Sequence, residues 1–153
     1  MIGNIKIVSG GQSGVDRAAL DFALENQIRC GGWCPLGRLE EDVRIHNRYP
    51  LHETDSADYR VRTQSNVRDS DGTLILYVDV FGNGTALTQQ IAKKLMKPCL
   101  LIQLNGKNYA KKSLQLNAWL EVNKIETLNV AGPRESSNPG IYTKTLRFFE
   151  MVF

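Results

Sequence analysis

Apolar positions along the chain switch between two spacings. Ile5 to Ser9 reads IKIVS, a short β-branched strand, and Gly10 to Gly14 then breaks it with three glycines. From Val15 to Glu25, the residues Val15, Ala19, Leu20, Ala23 and Leu24 share one face of a helix. Ile28 to Cys30 predicts a second short strand. Thr73 to Val78 (TLILYV) is the strongest strand, and its nearly unbroken apolar run implies burial on both faces, as in a parallel sheet. A glycine-broken turn over Phe81–Thr85 leads into a helix to about Met96, with Leu87, Ile91 and Leu95 in line. Lys93, Lys94 and Lys97 fall at its C-terminal end, where cations suit the helix dipole. Pro98–Leu104 predicts a strand, Lys111–Asn123 a helix with Leu116, Trp119 and Leu120 on one stripe, and Thr127–Ala131 a fifth strand. Asn138 as N-cap and Pro139 in the first turn predict the last helix, whose stripe is Ile141, Thr145, Phe148, Phe149 and Val152.

Two segments are less regular. Gly31–Thr54 mixes prolines, glycines and charges and reads as a long loop, a kind of segment that is usually functional or poorly ordered. Asp55–Asp69 reads as a rather polar helix with Ser56 as N-cap. No repeat, linker or low-complexity stretch divides the chain, so residues 1–153 are expected to form one domain. Strands alternating with helices imply right-handed crossovers. The expected fold is therefore a Rossmann-like, doubly wound α/β domain, a mainly parallel sheet between two helical layers. In such sheets ligands bind beyond the carboxyl ends of the strands.

Composition narrows the classes. With 42% hydrophobic and 23% charged residues the chain is an ordinary globular one. The net charge, 19 basic minus 16 acidic residues, is only +3. With no basic stripe carrying aromatic platforms, nucleic acid is not an expected partner. No apolar run reaches about 18 residues, so no membrane span is expected. Three sparse cysteines (Cys30, Cys34, Cys99) and the lack of a signal-peptide pattern over Met1–Ser9 point to the cytoplasm. The spacing of Cys30, Cys34, His46 and His52 does not suit zinc, so no structural metal is expected. The positive charge is segregated: six arginines lie between Arg38 and Arg68, whereas no lysine lies between Lys6 and Lys93. These arginines either pair with nearby carboxylates such as Glu41 and Asp58, or one or two of them face an anionic ligand.

Three turns at strand ends could hold such an anion. Ser9, Gly10, Gly11, Gln12, Ser13 and Gly14 form the first, where glycines allow close backbone approach and helical N–H groups point outward. Its G-G-x-x-G spacing matches neither a dinucleotide fingerprint nor a P-loop. Gly82, Gly84 and Thr85 form the second, or else a tight turn with Thr85 as a helix N-cap. Gly132 and Arg134 lie in the third, where Arg134 either forks onto a phosphate or sits beside Glu135 on the surface. Trp33 either stacks on a flat ligand or covers the core. Asn66 opens the run Asn66–Gly72 and is counted with the candidate contacts. Asp69 and Asp71 in that run could hold Mg²⁺, though a helix-to-strand turn is the favoured reading. No Ser/His/Asp or Cys/His set stands out, which tilts the reading from catalysis toward binding.

Taken together, the strings IVSGGQSGVDRAALDFAL, CGGWCPLGR-x-x-ED, YPLHET-x-SADY-x-x-RT-x-x-NVRDSDGTLI, GTALT and LNVAGPRES-x-x-PGIY resemble the molybdenum carrier (molybdenum cofactor carrier) family. That family is similar in fold to the Smf/DprA and Lonely Guy group of Rossmann-like proteins. The resemblance implies a cytoplasmic homodimer or homotetramer that carries the molybdenum cofactor, a phosphorylated molybdopterin, with molybdoenzymes as recipients. It implies that the Ser9–Gly14 and Gly82–Thr85 turns cradle the phosphate or oxo group, that Arg134 or a loop arginine supplies counter-charge, and that Trp33 covers the pterin. Thr88 stands where the Lonely Guy motif has its glutamate, which argues against that group's nucleotide-processing activity. The alternative is a nucleotide derivative as ligand. Self-association is also expected from the last helix, because Phe148, Phe149, Met151, Val152 and Phe153 exceed what one helix face buries.

Overall fold

The structure, a computed structural model, describes residues 3–79 and 82–153. The chain opens with β1 (Lys6–Val8), α1 (Val15–Glu25) and β2 (Arg29–Gly31). Four two-residue strands follow: β3 (Trp33–Cys34), β4 (Leu39–Glu40), β5 (Val43–Arg44) and β6 (His52–Glu53). Regular alternation resumes with α2 (Tyr59–Arg68), β7 (Gly72–Tyr77), α3 (Asn83–Lys94), β8 (Cys99–Gln103), α4 (Tyr109–Val122), β9 (Thr127–Ala131) and α5 (Ile141–Val152).

The central sheet has five strands in the order β2-β1-β9-β7-β8, and every pairing in it is parallel. Right-handed crossovers place α1, α4 and α5 on one face, where α5 packs on both α1 and α4, and α2 against α3 on the other. Covering both faces is what makes β7 apolar throughout: Gly72 to Leu76 are all buried. The main core runs from Ile7 and Leu128 in the sheet to Phe22, Phe148 and Phe149 in the helices.

The last strand, β9, lies in the middle of the sheet, between β1 and β7. Counted from β9, the order becomes 3-2-1-4-5, that of a Rossmann sheet. The chain thus follows the Rossmann path from a shifted starting point. The strand order reverses between β9 and β7, so the ligand crevice of this architecture falls beyond their carboxyl ends.

Four local expectations are corrected. Residues 31–54 are folded, because buried Arg38 donates to the carbonyls of Ile45, Leu51, His46 and Tyr49 at 2.9–3.2 Å. These bonds draw the segment over a second apolar cluster of Leu20, Cys34, Ile45, Tyr49 and Leu51. The cap of α2 is Asp58, whose carboxylate accepts the Arg60 N–H at 3.0 Å, and Ser56 instead accepts the Asp58 N–H. α3 starts at Asn83 with Gly82 as its cap residue, so Thr85 lies inside the helix. α5 starts after Gly140, and Asn138 and Pro139 precede it. Here Glu135 serves as the cap, its carboxylate accepting the N–H of Gly140 at 2.5 Å and of Tyr142 at 2.9 Å. Phe148 and Phe149 are fully buried within the chain and Val152 nearly so, whereas Met151 is half exposed and Phe153 only partly buried.

Candidate functional site

The three strand-end turns lie at one edge of the sheet. The first is held from within. Ser9 Oγ donates to the Asp16 carbonyl at 2.9 Å and accepts the Gly11 N–H at 3.3 Å. The N–H groups of Gly10 and Gln12 are given to the Asp16 carboxylate. Ser13 Oγ accepts the Glu135 N–H at 3.2 Å, which fastens the first turn to the third. Gly14 is needed for that junction: its φ is +81°, and a Cβ there would stand 2.4 Å from the Pro133 carbonyl oxygen. Gly11 faces Leu51 and Ile45, and a Cβ on Gly132 would meet the Leu76 carbonyl at 2.3 Å. Gly11, Gly14 and Gly132 therefore serve packing between segments.

Gly10 faces the crevice. A Cβ there would meet Arg62 Nη1 at 2.3 Å, so the arginine lies flat across the turn. Arg62 comes from α2, and its Nη1 stands 3.5 Å from Asp16 Oδ2. Asp16 is 3% exposed. Burial raises its carboxyl to about 6, a rise that the nearby Arg62, the two N–H groups and the more distant Arg134 only partly offset. Burial likewise pulls Arg62 below its usual range. Among the described residues, buried Arg62 Nε and Gln12 Nε2 find no hydrogen-bond partner. A cavity of about 10 Å³ lies against this pair, lined by Gly10, Asn66, Thr88, Asn129 and Ala131 among others.

The remaining candidates are placed as follows. Asn66 Oδ1 accepts the Trp33 N–H at 2.8 Å and its Nδ2 donates to the Trp33 carbonyl at 3.0 Å. The Trp33 indole N–H donates to Asp69 at 2.8 Å, and its ring lies 5.8 Å from that of His52. Asp69 also pairs with Arg68 at 2.8 Å, which together with the indole holds its carboxyl down near 2 despite some desolvation. Asp71 accepts the N–H groups of Glu126 and Thr127 at 3.0 and 2.7 Å, so this run is a turn that ties α2 to β7 and β9. Arg134 stands 3.9 Å from Glu41 on the β4–β5 hairpin. Among the described residues, nothing lies within 4 Å of where a Cβ on Gly82 or Gly84 would stand. Thr85 and Thr88 are buried in the first turns of α3, with Thr88 Oγ donating to the Gly84 carbonyl at 3.0 Å. Phe81, part of the second expected turn, lies outside the described residues.

The sequence reading missed Asp16, Arg62 and Asn129 as a group, together with the place of Thr88 beside them. The available signal was the arginine-rich stretch that contains Arg62. Among the described residues no group of three or more His, Cys, Asp and Glu could hold a metal ion. None of the described helices is long and apolar enough to cross a membrane. A groove of about 1020 Å³ lies at the opposite, amino end of the sheet. The strand-order reversal and the buried charges favour the small cavity as the site.

A parallel sheet read from β9, with a buried ion pair in the crevice, defines a Rossmann-like domain of permuted strand order. The profile of the "Circularly permutated YpsA SLOG family" matches residues 7–153, and the chain belongs to that family. It is also similar to the crystal structure of "Putative molybdenum carrier protein" from Syntrophus aciditrophicus. The TM-score is 0.95 at 44% identity, covering 98% of this chain and 96% of that one. A search of curated protein sequences gives no match.

Proposed function

We propose that this chain binds a small anionic ligand at the carboxyl edge of β1, β9 and β7, and that the ligand is the phosphorylated pterin of the molybdenum cofactor. The observation that carries the reading is Arg62: a buried guanidinium with an unpartnered Nε, loosely paired at 3.5 Å, in the crevice where the strand order reverses. An arginine fork suits a phosphate better than it suits this single distant carboxylate oxygen. Thr85 and the uncapped N-terminus of α3 border the same edge. The name of the Syntrophus protein supports a carried molybdenum species, and the molybdenum would stay on the cofactor's own sulfurs. Molybdoenzymes would receive it.

The test is transfer. The protein is loaded with cofactor released from a molybdoenzyme, then offered to cofactor-free nitrate reductase. Restored activity and slower cofactor oxidation, both lost in Arg62→Gln, are expected. Protection no better than that given by an unrelated protein would overturn the reading. The Rossmann strand order favours a second reading, a nucleotide derivative in the same crevice. Thermal stabilisation by AMP or ADP-ribose, with none by pterin phosphates, would select it.

A further inference from the structure

Asp16 and Arg62 are poorly matched partners. Their closest approach, 3.5 Å, exceeds the roughly 2.7–2.9 Å of a good charge-assisted hydrogen bond. Arg62 keeps a buried Nε–H that bonds to nothing among the described residues. The adjoining cavity, about 10 Å³, holds no more than about one water. A ligand head larger than water therefore cannot enter while the pair stays closed. Arg62 has somewhere to go, since 13% of its side chain already reaches solvent.

We propose that Asp16 sets the specificity of this site as an internal stand-in anion, holding Arg62 until the dianionic head of a phosphate monoester takes the guanidinium and Asp16 accepts a proton from solvent. The proposal rests on the anion-site reading above and deepens it. Arg62 on α2 faces Asp16, as do the N–H groups of Gly10 and Gln12 from its own turn, and Arg134 acts on it from the β9–α5 turn. Arg134 also lies near Glu41. Once Arg62 turns to the ligand, Asp16 loses its nearest cation while staying buried, and its charged form becomes dearer still. A carboxylate that already sits near 6 then binds a proton at neutral pH. A monoanion offers Arg62 no more charge than Asp16 does, whereas a dianion offers twice as much. The competition thus selects phosphate-type heads over carboxylates and halides.

Sodium sulfate, a dianion throughout the working range, is the probe, titrated calorimetrically at fixed ionic strength in two buffers of different ionisation enthalpy. Near pH 7 the native protein should take up between about half a proton and one per sulfate, and its affinity should fall up to about tenfold per pH unit above 6. Asp16→Asn keeps an oxygen for the Gly10 and Gln12 amides. It should bind sulfate with no proton uptake, equally at pH 6 and 8, and about tenfold or more tighter than the native protein at pH 8. It should also gain acetate binding. No proton uptake by the native protein, or an Asn variant no tighter at pH 8, overturns the proposal. If that happens while Arg62→Gln still abolishes sulfate binding, the anion site stands and only the role of Asp16 falls. If no variant binds sulfate at any pH, both fall.

Discussion

Asp16 is a carboxylate in the wrong solvent, and that makes it a stability term as well as a site residue. Its folded value near 6 lies above the ordinary 3.8, so the folded state binds the extra proton between those values. The favourable contribution is full below about pH 4 and is lost as pH rises through 6. At neutral pH the ionised form costs on the order of 3 kcal/mol. Asp16→Asn should therefore unfold at higher urea than the native protein near pH 7.5, and the gap should close near pH 4. The glycines divide in the same physical terms. Gly14→Ala meets both a positive φ and the Pro133 carbonyl at 2.4 Å. It should cost about 2 kcal/mol or more and loosen the junction of the first and third turns. Gly84→Ala, within α3, meets no described residue and should be neutral or stabilise by up to about 1 kcal/mol. Thermal unfolding of the two variants separates these outcomes.

At the scale of elements, the segment from β3 to β6 hangs on one side chain. Arg38 is 8% exposed, and its donors satisfy four carbonyls that no strand ladder reaches. Arg38→Ala should cost roughly 2–3 kcal/mol, since leaving the Leu51 carbonyl unpaired costs about 1–3 kcal/mol, while the His46 and Tyr49 carbonyls lose a second donor but keep the N–H groups of Tyr49 and Leu51. Hydrogen exchange should quicken over residues 38–54 while β7 and β9 keep their protection. Lysine cannot substitute, because it lacks the planar fork. Tyr49 belongs to the same segment. The guanidinium groups of Arg17 and Arg48 lie over its ring, at 4.8 and 5.0 Å from the centroid, and its hydroxyl donates to Asp21 at 2.6 Å. Tyr142 donates to the other oxygen of Asp21 at 2.6 Å, which joins this segment to α1 and α5.

At the scale of the whole molecule, the shifted starting point is a statement about chain ends. Gly3, Asn4, Val152 and Phe153 line one groove, and so do Lys124 and Glu126 from the α4–β9 turn. Joining the ends by a short Gly/Ser linker and opening the chain at Lys124 would give strand order 3-2-1-4-5 in sequence. The same sheet should form, because the cut spares every strand and the linker spans neighbouring surface. Native-like far-UV dichroism and sulfate binding are expected. An unfolded product would mean that the present path, and not only the final packing, is required.

What the sequence determined by itself was set by local periodicity. The run TLILYV could only be a strand covered on both faces, and the stripe Ile141, Thr145, Phe148, Phe149 and Val152 could only be a buried helix face. Five sheet strands and the alternation of elements followed, and with them the edge that carries the site. Tertiary structure decided what depends on residues far apart in the chain. Placing β9 between β1 and β7 is a pairing choice that no window of sequence encodes. Arg38 looks like any surface arginine until Ile45, Tyr49 and Leu51 fold around it. Arg62 and Asp16 lie on different helices, and only packing α1 and α2 against the same sheet edge brings them together out of water, where their charges acquire chemistry.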